Sequence, residues 1–423
     1  MLTLADIRAK RDELEKALAK RNLQAGDTLD AILSADEQRR ATQAELDSLL
    51  AEANNLAREI GQLFKEGRKD EAEGMRQRSI EIKDLTQGLR DKQQVLEAEV
   101  QELLYKLPNA PHALVPAGKS DTDNEVVDQF GEIPVLGDDA VPHWELTEKY
   151  KLIDFDLGAK VTGSGFPFYM GNGAKLQRAL IRFFLDEADK AGYLEYIPPF
   201  VVNEASGIGT GQLPDKEGQM YYMPADDLYM IPTAEVPLTN IYRDVIISED
   251  ELPLRFCGYT PCFRREAGSY GKDVRGLNRL HQFDKVEIVQ IAHPDRSHAI
   301  LDEMVAHVAG LLRKLELPFR VLRLCGGDLG FASAITYDME VWSAAQKRWL
   351  EVSSISNFET FQANRLKARF KGKDGKTQLV HTLNGSALAL PRIVAALLEN
   401  NQTPDGIMLP KAIHAYTGFD RIA

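Results

Sequence analysis

Residues 263–287, FRREAGSYGKDVRGLNRLHQFDKVE, set arginines, lysines and carboxylates around Phe263, Tyr270 and Phe283. Guanidinium forks suit phosphate oxygens and a flat ring suits a nucleobase, so this mixture is equipped to hold a nucleotide. Taken as strand, loop and strand, the period of two puts Arg264 and Glu266 on one face of the first strand. Phe283, Lys285 and Glu287 then share a face of the second, with Val286 and Ile288 opposite. Antiparallel pairing would present Arg264, Glu266, Arg275, Arg279, Phe283 and Glu287 on a shallow polar platform backed by core. A solvated hairpin surface has a similar charge pattern. Two features weigh against it: Phe283 would be wasted in water, and IVQIA after Glu287 marks a central strand. A glutamate on the working side of such a strand needs a cationic partner or a ligand ammonium.

Such a platform has to be carried by a chain of 423 residues, long enough for two or more domains. Net charge is −13, with 44% hydrophobic and 27% charged residues, which excludes a general polyanion binder and confines any nucleic-acid contact to a local surface. Cys257, Cys262 and Cys325 lack CxxC spacing, so neither a disulfide framework nor a four-ligand zinc site is encoded, and a reducing, cytoplasmic compartment is expected. The amphipathic, carboxylate-rich start and the lack of an apolar run of about 18 residues predict no signal peptide and no membrane span.

Between Leu29 and Leu107 proline is absent and apolar residues recur at heptad spacing. Leu46, Leu49, Ala53, Leu56, Ile60 and Leu63 form one series, and Met75, Ile82, Leu85, Leu89, Leu96 and Leu103 a second, interrupted by Arg78, Lys92 and Glu99. KEGRKDE (65–71) separates them, with Gly67 placed to end the first helix. The expectation is an antiparallel helical hairpin with limbs of about 57 Å. Such a hairpin serves dimerisation or spacing, or else reaches a distant partner with the cations at its tip, Lys65, Arg68, Lys69, Arg76 and Arg78. Residues 108–130, with Pro108, Pro111 and Pro116 and an acidic run, read as a linker. From 131 to 423 the short β-branched and aromatic runs, glycine turns and separate amphipathic helices predict an α+β domain. It includes a helix from about Ala174 to Lys190 and a strand broken by Pro198 and Pro199.

FRRE followed by RGLNRLHQFDKVE resembles motif 2 of the class II aminoacyl-tRNA synthetases, in the wording of the seryl-tRNA synthetase family. IPTAEVPLTN (231–240) resembles that family's serine-binding loop, and GDLGFASAITYDMEVW with LEVSSISNFET its metal and ATP stretch. TLNGSALALPRIVAALLENNQ resembles motif 3 and LEYIPPF motif 1. With the hairpin, the likeness covers nearly the whole chain in order.

The resemblance implies an antiparallel catalytic sheet flanked by helices in residues 131–423, an arm in 1–107 and a linker in 108–130. It implies serine activation by ATP with Mg²⁺ and transfer to serine tRNA, with selenocysteine tRNA as a further acceptor of the family. Arg264 would grip the α-phosphate, Glu266 the adenine amino group, and Phe283 would stack on the ring, with Arg265 and the Leu280 backbone also at ATP. Arg392 would lie on the other adenine face or reach the γ-phosphate. Glu351 and Ser354, in the run with Val352 and Ser353, would hold Mg²⁺ on the phosphates. Thr233, Ala234, Glu235, Glu287 and Ser386 would form the serine pocket, with Glu287 taking the ammonium or the hydroxyl. Such a pocket rejects alanine by roughly 10⁴ to 10⁵ and threonine by shape. The arm, with Lys65, Arg68, Lys69 and Arg76, would meet the long variable arm of serine tRNA by helix shape and backbone. A homodimer through motif 1 is implied.

Adenylation uses the substrate's own carboxylate as nucleophile, so no Ser-His-Asp set is required. His281 is read as structural. GIGTGQ (207–212) lacks a dinucleotide fingerprint and is expected to be a mobile active-site loop, while GKDGK (372–376) reads as an Asp-Gly hairpin turn, and no P-loop occurs. Pro391 predicts that its helix begins near Leu388, where the first N–H groups need no intrahelical partner. Two other readings are open: a paralogue that aminoacylates a carrier protein, against which the arm argues, and an inert coiled-coil scaffold, against which Arg264, Glu287, Glu351 and Arg392 argue.

Overall fold

The computed structural model describes residues 1–137, 140–215, 218–266 and 275–423. They fall into two compact units, Leu2–Ala19 with Leu23–Pro108, and Met1 with Lys20–Asn22 and Asn109–Ala423.

The first unit contains α1 (Leu4–Ala19), α2 (Gly26–Lys65) and α3 (Lys69–Lys106). At 40 and 38 residues, α2 and α3 span about 60 and about 57 Å. Their reversal is made at Gly67, whose φ of +79° is a conformation that side chains resist, and whose N–H donates to the Phe64 carbonyl at 3.3 Å. The seam of α2 follows the expected series, with Leu46 and Leu63 buried. The seam of α3 departs from it. Leu85 is 51% exposed, and the buried row runs Ala72, Ile82, Thr86, Gln93, Leu96, Val100 and Leu104. A search for apolar types selects Leu85 over Thr86, whose hydroxyl is satisfied locally by donating to the Lys83 carbonyl at 2.9 Å and so tolerates an apolar seam.

In the second unit, eight strands form the main sheet among the described residues. They are β1 (Glu125–Phe130), β2 (Leu194–Glu195), β3 (Leu254–Phe263), β4 (Gln282–Ala292), β5 (Phe319–Arg323), β6 (Ile335–Ser343), β7 (Arg348–Glu359) and β8 (His381–Ala389). Their spatial order is β1-β5-β6-β7-β8-β4-β3-β2. Neighbours pair antiparallel from β1 to β3, and β2 lies parallel to β3 at the edge. The fold is therefore α+β with a mainly antiparallel sheet.

The stretch read as a linker instead contributes β1, paired with β5. All six residues of β1, EVVDQF, are exposed, and Glu125 and Asp128 put charge on this edge strand among Val126, Val127 and Phe130. Composition alone does not separate that from a linker.

Packed on the sheet are α4 (His143–Lys149), α5 (Gly171–Lys190), α6 (Ser297–Lys314) and α7 (Leu390–Asn400). Leu176, Leu180, Phe183 and Phe184 of α5, with Ile300, Met304 and Val308 of α6 and Ile393, Val394 and Leu397 of α7, share one core with Val286, Ile288, Ile355 and Leu383. Val286 and Ile288 thus face helices, which leaves the alternate residues of β4 for the other face. GIGTGQ is not an open loop. Residues Glu204–Thr210 form a short helix whose N-cap Asn203 accepts from the Ser206 N–H, and which ends at Gly211 with φ +94°. A glycine-rich composition hid the capping pair. The 372–376 turn joins Arg369–Lys371 to Thr377–Leu379 as expected. Among the described residues no helix is long and apolar enough to cross a membrane, and the three cysteines are free and buried.

Candidate active site

β3 and β4 pair antiparallel as expected, but only part of the expected platform lies on them. Phe283 pairs with Cys262, and Glu287 with Gly258. β3 ends at Phe263, so Arg264 follows the strand, held by its N–H donating to the His281 carbonyl at 2.9 Å. Its Nε donates to the Pro232 carbonyl at 3.3 Å, and its guanidinium lies 5.2 Å from the Phe283 ring centre. Glu266 does not continue a strand alternation. Its φ is +47°, and its carboxylate instead pairs with Arg279 on the returning chain. Arg265 donates its N–H to the Gln219 carbonyl at 2.8 Å, Leu280 is buried, and Arg275 lies 4.8 Å from the Trp144 ring centre. Tyr270 and the rest of 267–274 lie outside the described residues. His281 donates from Nδ1 to the Arg264 carbonyl at 3.0 Å and stacks on Phe166, in keeping with a structural role.

Beside Pro232 begins a buried polar group. Glu287 is 2% exposed, and Lys285 lies on the same face with its Nζ 2.6 Å from a Glu287 oxygen and 2.9 Å from Thr233 Oγ1. The Lys285–Glu287 contact is ionic but not aligned as a hydrogen bond, so that Glu287 oxygen is left without a hydrogen-bond partner. Ser386 is Glu287's register partner on β8, where a bulge sets Lys285 against Ala389. Thr233 Oγ1 accepts the Glu235 N–H at 3.2 Å, and the Glu235 carboxylate accepts from Gln362 Nε2 at 2.6 Å. Burial, with the Glu287 charge adding to it, pushes the Glu235 carboxyl up to about 7. Ala234 is fully buried behind it.

A second acidic corner forms where β6, β7 and α7 meet. Asp338 pairs in register with Ser354, and Glu340 with Glu351; Val352 falls in the register shift and is buried. Ser353 Oγ donates to the Ser386 carbonyl at 2.5 Å, tying this strand to the polar pocket. Burial and then the Glu351 charge push the Asp338 carboxyl well above the ordinary range, and its Oδ1 has no hydrogen-bond partner. α7 starts at Leu390, two residues later than expected, with Pro391 in its first turn. The chain leaves β8 directly into that turn. Arg392 thereby donates through Nε to the Asn278 carbonyl at 3.0 Å and through Nη1 to the Glu351 carbonyl at 2.8 Å.

The sequence reading missed the roles of Lys285, Gln362 and Asp338. Lys285 carried a signal, since it alternates with Phe283 and Glu287; Gln362 and Asp338 reach the site only through strand order. One further group, His112, His298 and Glu359, offers ligand atoms within 4.8 Å of one another. It sits at the other end of β7 from Glu351, about 26 Å along an extended strand, and is separate from the acidic corner.

Residues 1–111 match the family described as the seryl-tRNA synthetase N-terminal domain, and residues 222–401 the tRNA synthetase class II core domain (G, H, P, S and T). The chain is 53% identical over 424 residues to the serine–tRNA ligase of Salinibacter ruber, covering 100% of this chain and 99% of that one. It is 47% identical to that of Caldicellulosiruptor saccharolyticus, with 100% of both chains covered. Among solved structures it matches a seryl-tRNA synthetase from Pyrococcus horikoshii, crystallised with ATP, at a TM-score of 0.93 and 35% identity over 100% of this chain and 99% of that one. Sequence motifs, sheet order and these likenesses agree, and the chain belongs to the seryl-tRNA synthetase family, with a class II synthetase core.

Proposed function

We infer that the protein is a serine–tRNA ligase, which joins serine to ATP with release of pyrophosphate and then passes the seryl group to the end of serine tRNA. The observation that carries this reading is the Glu287 carboxylate. It is nearly solvent-free, has one oxygen with unused acceptor capacity, and is flanked by Thr233, Glu235 and Ser386. A small substrate with an ammonium and a hydroxyl satisfies that set, while one lacking the hydroxyl leaves polar groups unpaired. Thr233, Ala234, Glu235, Glu287 and Ser386 are the proposed serine pocket.

Lys285 holds the pocket's charge balance before substrate arrives. Its ammonium sits where a substrate ammonium would compete for Glu287. Arg264, beside both Pro232 and the Phe283 ring, is placed between pocket and ring, so it can draw charge from an α-phosphate as the serine carboxylate oxygen attacks phosphorus and pyrophosphate leaves. Phe283 would stack on the adenine, with Glu266, Arg265 and the Leu280 backbone nearby and Arg392 on the opposite side. In the second step a terminal ribose hydroxyl of tRNA attacks the seryl carbonyl and AMP leaves.

Glu351 and Ser354 would hold Mg²⁺, with Asp338 behind them, in the run with Val352 and Ser353. Two mutually repelling carboxylates, one with an unpartnered buried oxygen, suit a hard dication. The ion would neutralise phosphate charge.

The helical hairpin is proposed as the tRNA-binding arm, with Lys65, Arg68, Lys69 and Arg76 near its tip. Arg68 pairs with Glu71 and Arg76 with Glu73, so contact with phosphates there requires exchange of partners and should be salt-sensitive. A homodimer through the motif 1 segment is supported by Leu194 and Ile197, which are 62% and 84% exposed. A cytoplasmic location is consistent with three free thiols.

The test is serine-dependent exchange of pyrophosphate into ATP, together with tRNA charging, for the whole chain and for a form lacking residues 30–104. Both forms should exchange and only the whole chain should charge. Absence of exchange by the whole chain defeats the ligase reading, and equal charging by the two forms defeats the role of the arm.

A further inference from the structure

His143 and Glu399 are both fully buried, away from the proposed serine pocket, and the reaction as derived above does not use them. Glu399, near the end of α7, accepts the His143 backbone N–H at 2.9 Å and lies 2.7 Å from His143 Nδ1. Ser343 Oγ and Gln346 Nε2, the latter at 3.0 Å, also donate to it. Burial acts to raise the Glu399 carboxyl, but these donors, His143 first, hold it below the ordinary range. A backbone N–H faces Nε2 and can only donate, so Nε2 presents its lone pair and Nδ1 carries the imidazole proton toward Glu399. That lone pair accepts the Leu277 N–H at 2.8 Å.

A carboxylate–imidazole pair of this form orients a general base in hydrolases. Here the third member is a backbone amide, with no proton to lose at neutral pH, so the pair positions and does not catalyse. What it positions is the returning limb of the motif 2 segment. Gly276, at φ +66°, passes so close that a Cβ would come within 2.3 Å of His143 Nε2. Arg275 stacks on Trp144, next to His143. Asn278 donates to Gln346, which itself binds Glu399, and the Asn278 carbonyl receives Arg392. The helix that presents Arg392 in its first turn therefore grips, through Glu399 in its last, the segment that carries Arg275, Arg279 and Phe283.

We propose that His143, oriented by Glu399, is a positioning residue for ATP: it locks the 275–280 limb of motif 2 to the motif 3 helix so that Leu280, Phe283 and Arg392 present one prearranged nucleotide surface. The proposal rests on the ATP site assigned above. Loosening this tether should weaken nucleotide binding and leave the serine pocket, which is built on β4, β8 and the 233–235 turn, little altered.

The experiment compares the full chain with His143→Ala, His143→Gln and Glu399→Gln in serine-dependent exchange, with melting temperature as a control. Expected for His143→Ala is a rise in KM for ATP of about tenfold, with KM for serine moving less than about twofold. His143→Gln, whose carboxamide oxygen can accept the Leu277 N–H, should return KM for ATP to within about threefold of the unaltered protein. Equal shifts in both KM values, or an unchanged KM for ATP in folded His143→Ala, overturn the proposal. Should His143→Ala not fold, Glu399→Gln decides by the same ATP-against-serine split. If the unaltered chain shows no exchange, the ligase reading has failed, and calorimetric ATP affinity of the same variants decides this one: loss in His143→Ala with recovery in His143→Gln supports it, and equal affinity overturns it.

Discussion

The polar pocket on the sheet and the helical hairpin are both rich in opposite charges, but they use them differently. In the hairpin, Arg78 reaches across to Glu52 at 2.8 Å, and Arg76 pairs with Glu73 along one helix, with all four side chains between 41% and 68% exposed. In the pocket, Lys285 and Glu287 are 7% and 2% exposed, with Glu235 buried beside them. Similar ion-pair distances therefore carry different consequences. Water screens the hairpin pairs, which help solubility and alignment more than stability. Around Glu287 each charge depends on its partner, and the arrangement is held ready for a ligand at the expense of desolvation. Asp36 shows that location decides, not the unit: fully buried at the base of α2, it gathers Arg8, Arg39 and Arg40 within 3.1 Å.

The largest effect expected from this contrast is that of Glu287→Ala. It leaves the Lys285 ammonium buried without a counter-charge, so chemical denaturation should show a loss of about 3–5 kcal/mol, and serine-dependent exchange should become undetectable. A double change, Lys285→Met with Glu287→Leu, should recover most of that stability and none of the activity. Failure to recover the stability would mean that the pocket's charges are structural in a way an ion-pair account does not capture.

A smaller effect concerns Glu235, whose carboxyl is raised from 4.5 to about 7 by burial and then by Glu287. The folded chain holds this proton more tightly than the unfolded chain does. Its contribution to stability is therefore complete below about pH 4.5 and is lost as pH rises to about 7. Glu235→Gln, which keeps a neutral group at all pH values, should melt at a higher temperature than the unaltered protein at pH 8, with the difference closing toward pH 4.5. An identical pH dependence of melting in both proteins would remove Glu235 as the source. The smallest effect belongs to the hairpin. Arg78→Ala should leave the melting temperature unchanged within error, and a clear drop would show that the arm's surface pairs form a cooperative network.

Much of this protein was determined by local sequence. The limbs of the hairpin follow from a heptad period and the reversal from Gly67, because both depend on neighbours within a few turns. The shared face of Phe283, Lys285 and Glu287 follows from strand alternation, and the start of α7 from what Pro391 tolerates. Local rules also misled where composition is ambiguous, giving Leu85 a place held by Thr86 and a linker where β1 pairs. Other features needed the folded chain. Thr233 bridges to Lys285, Asp338 is buried against Glu351, and the Leu277 amide meets an imidazole on α4. Those partners lie 13 to 134 residues apart, and strand order together with exclusion of water decides which of them meet and what a charge there is worth. Periodicity encodes which way a side chain points; only tertiary packing sets the dielectric and the neighbour it points toward.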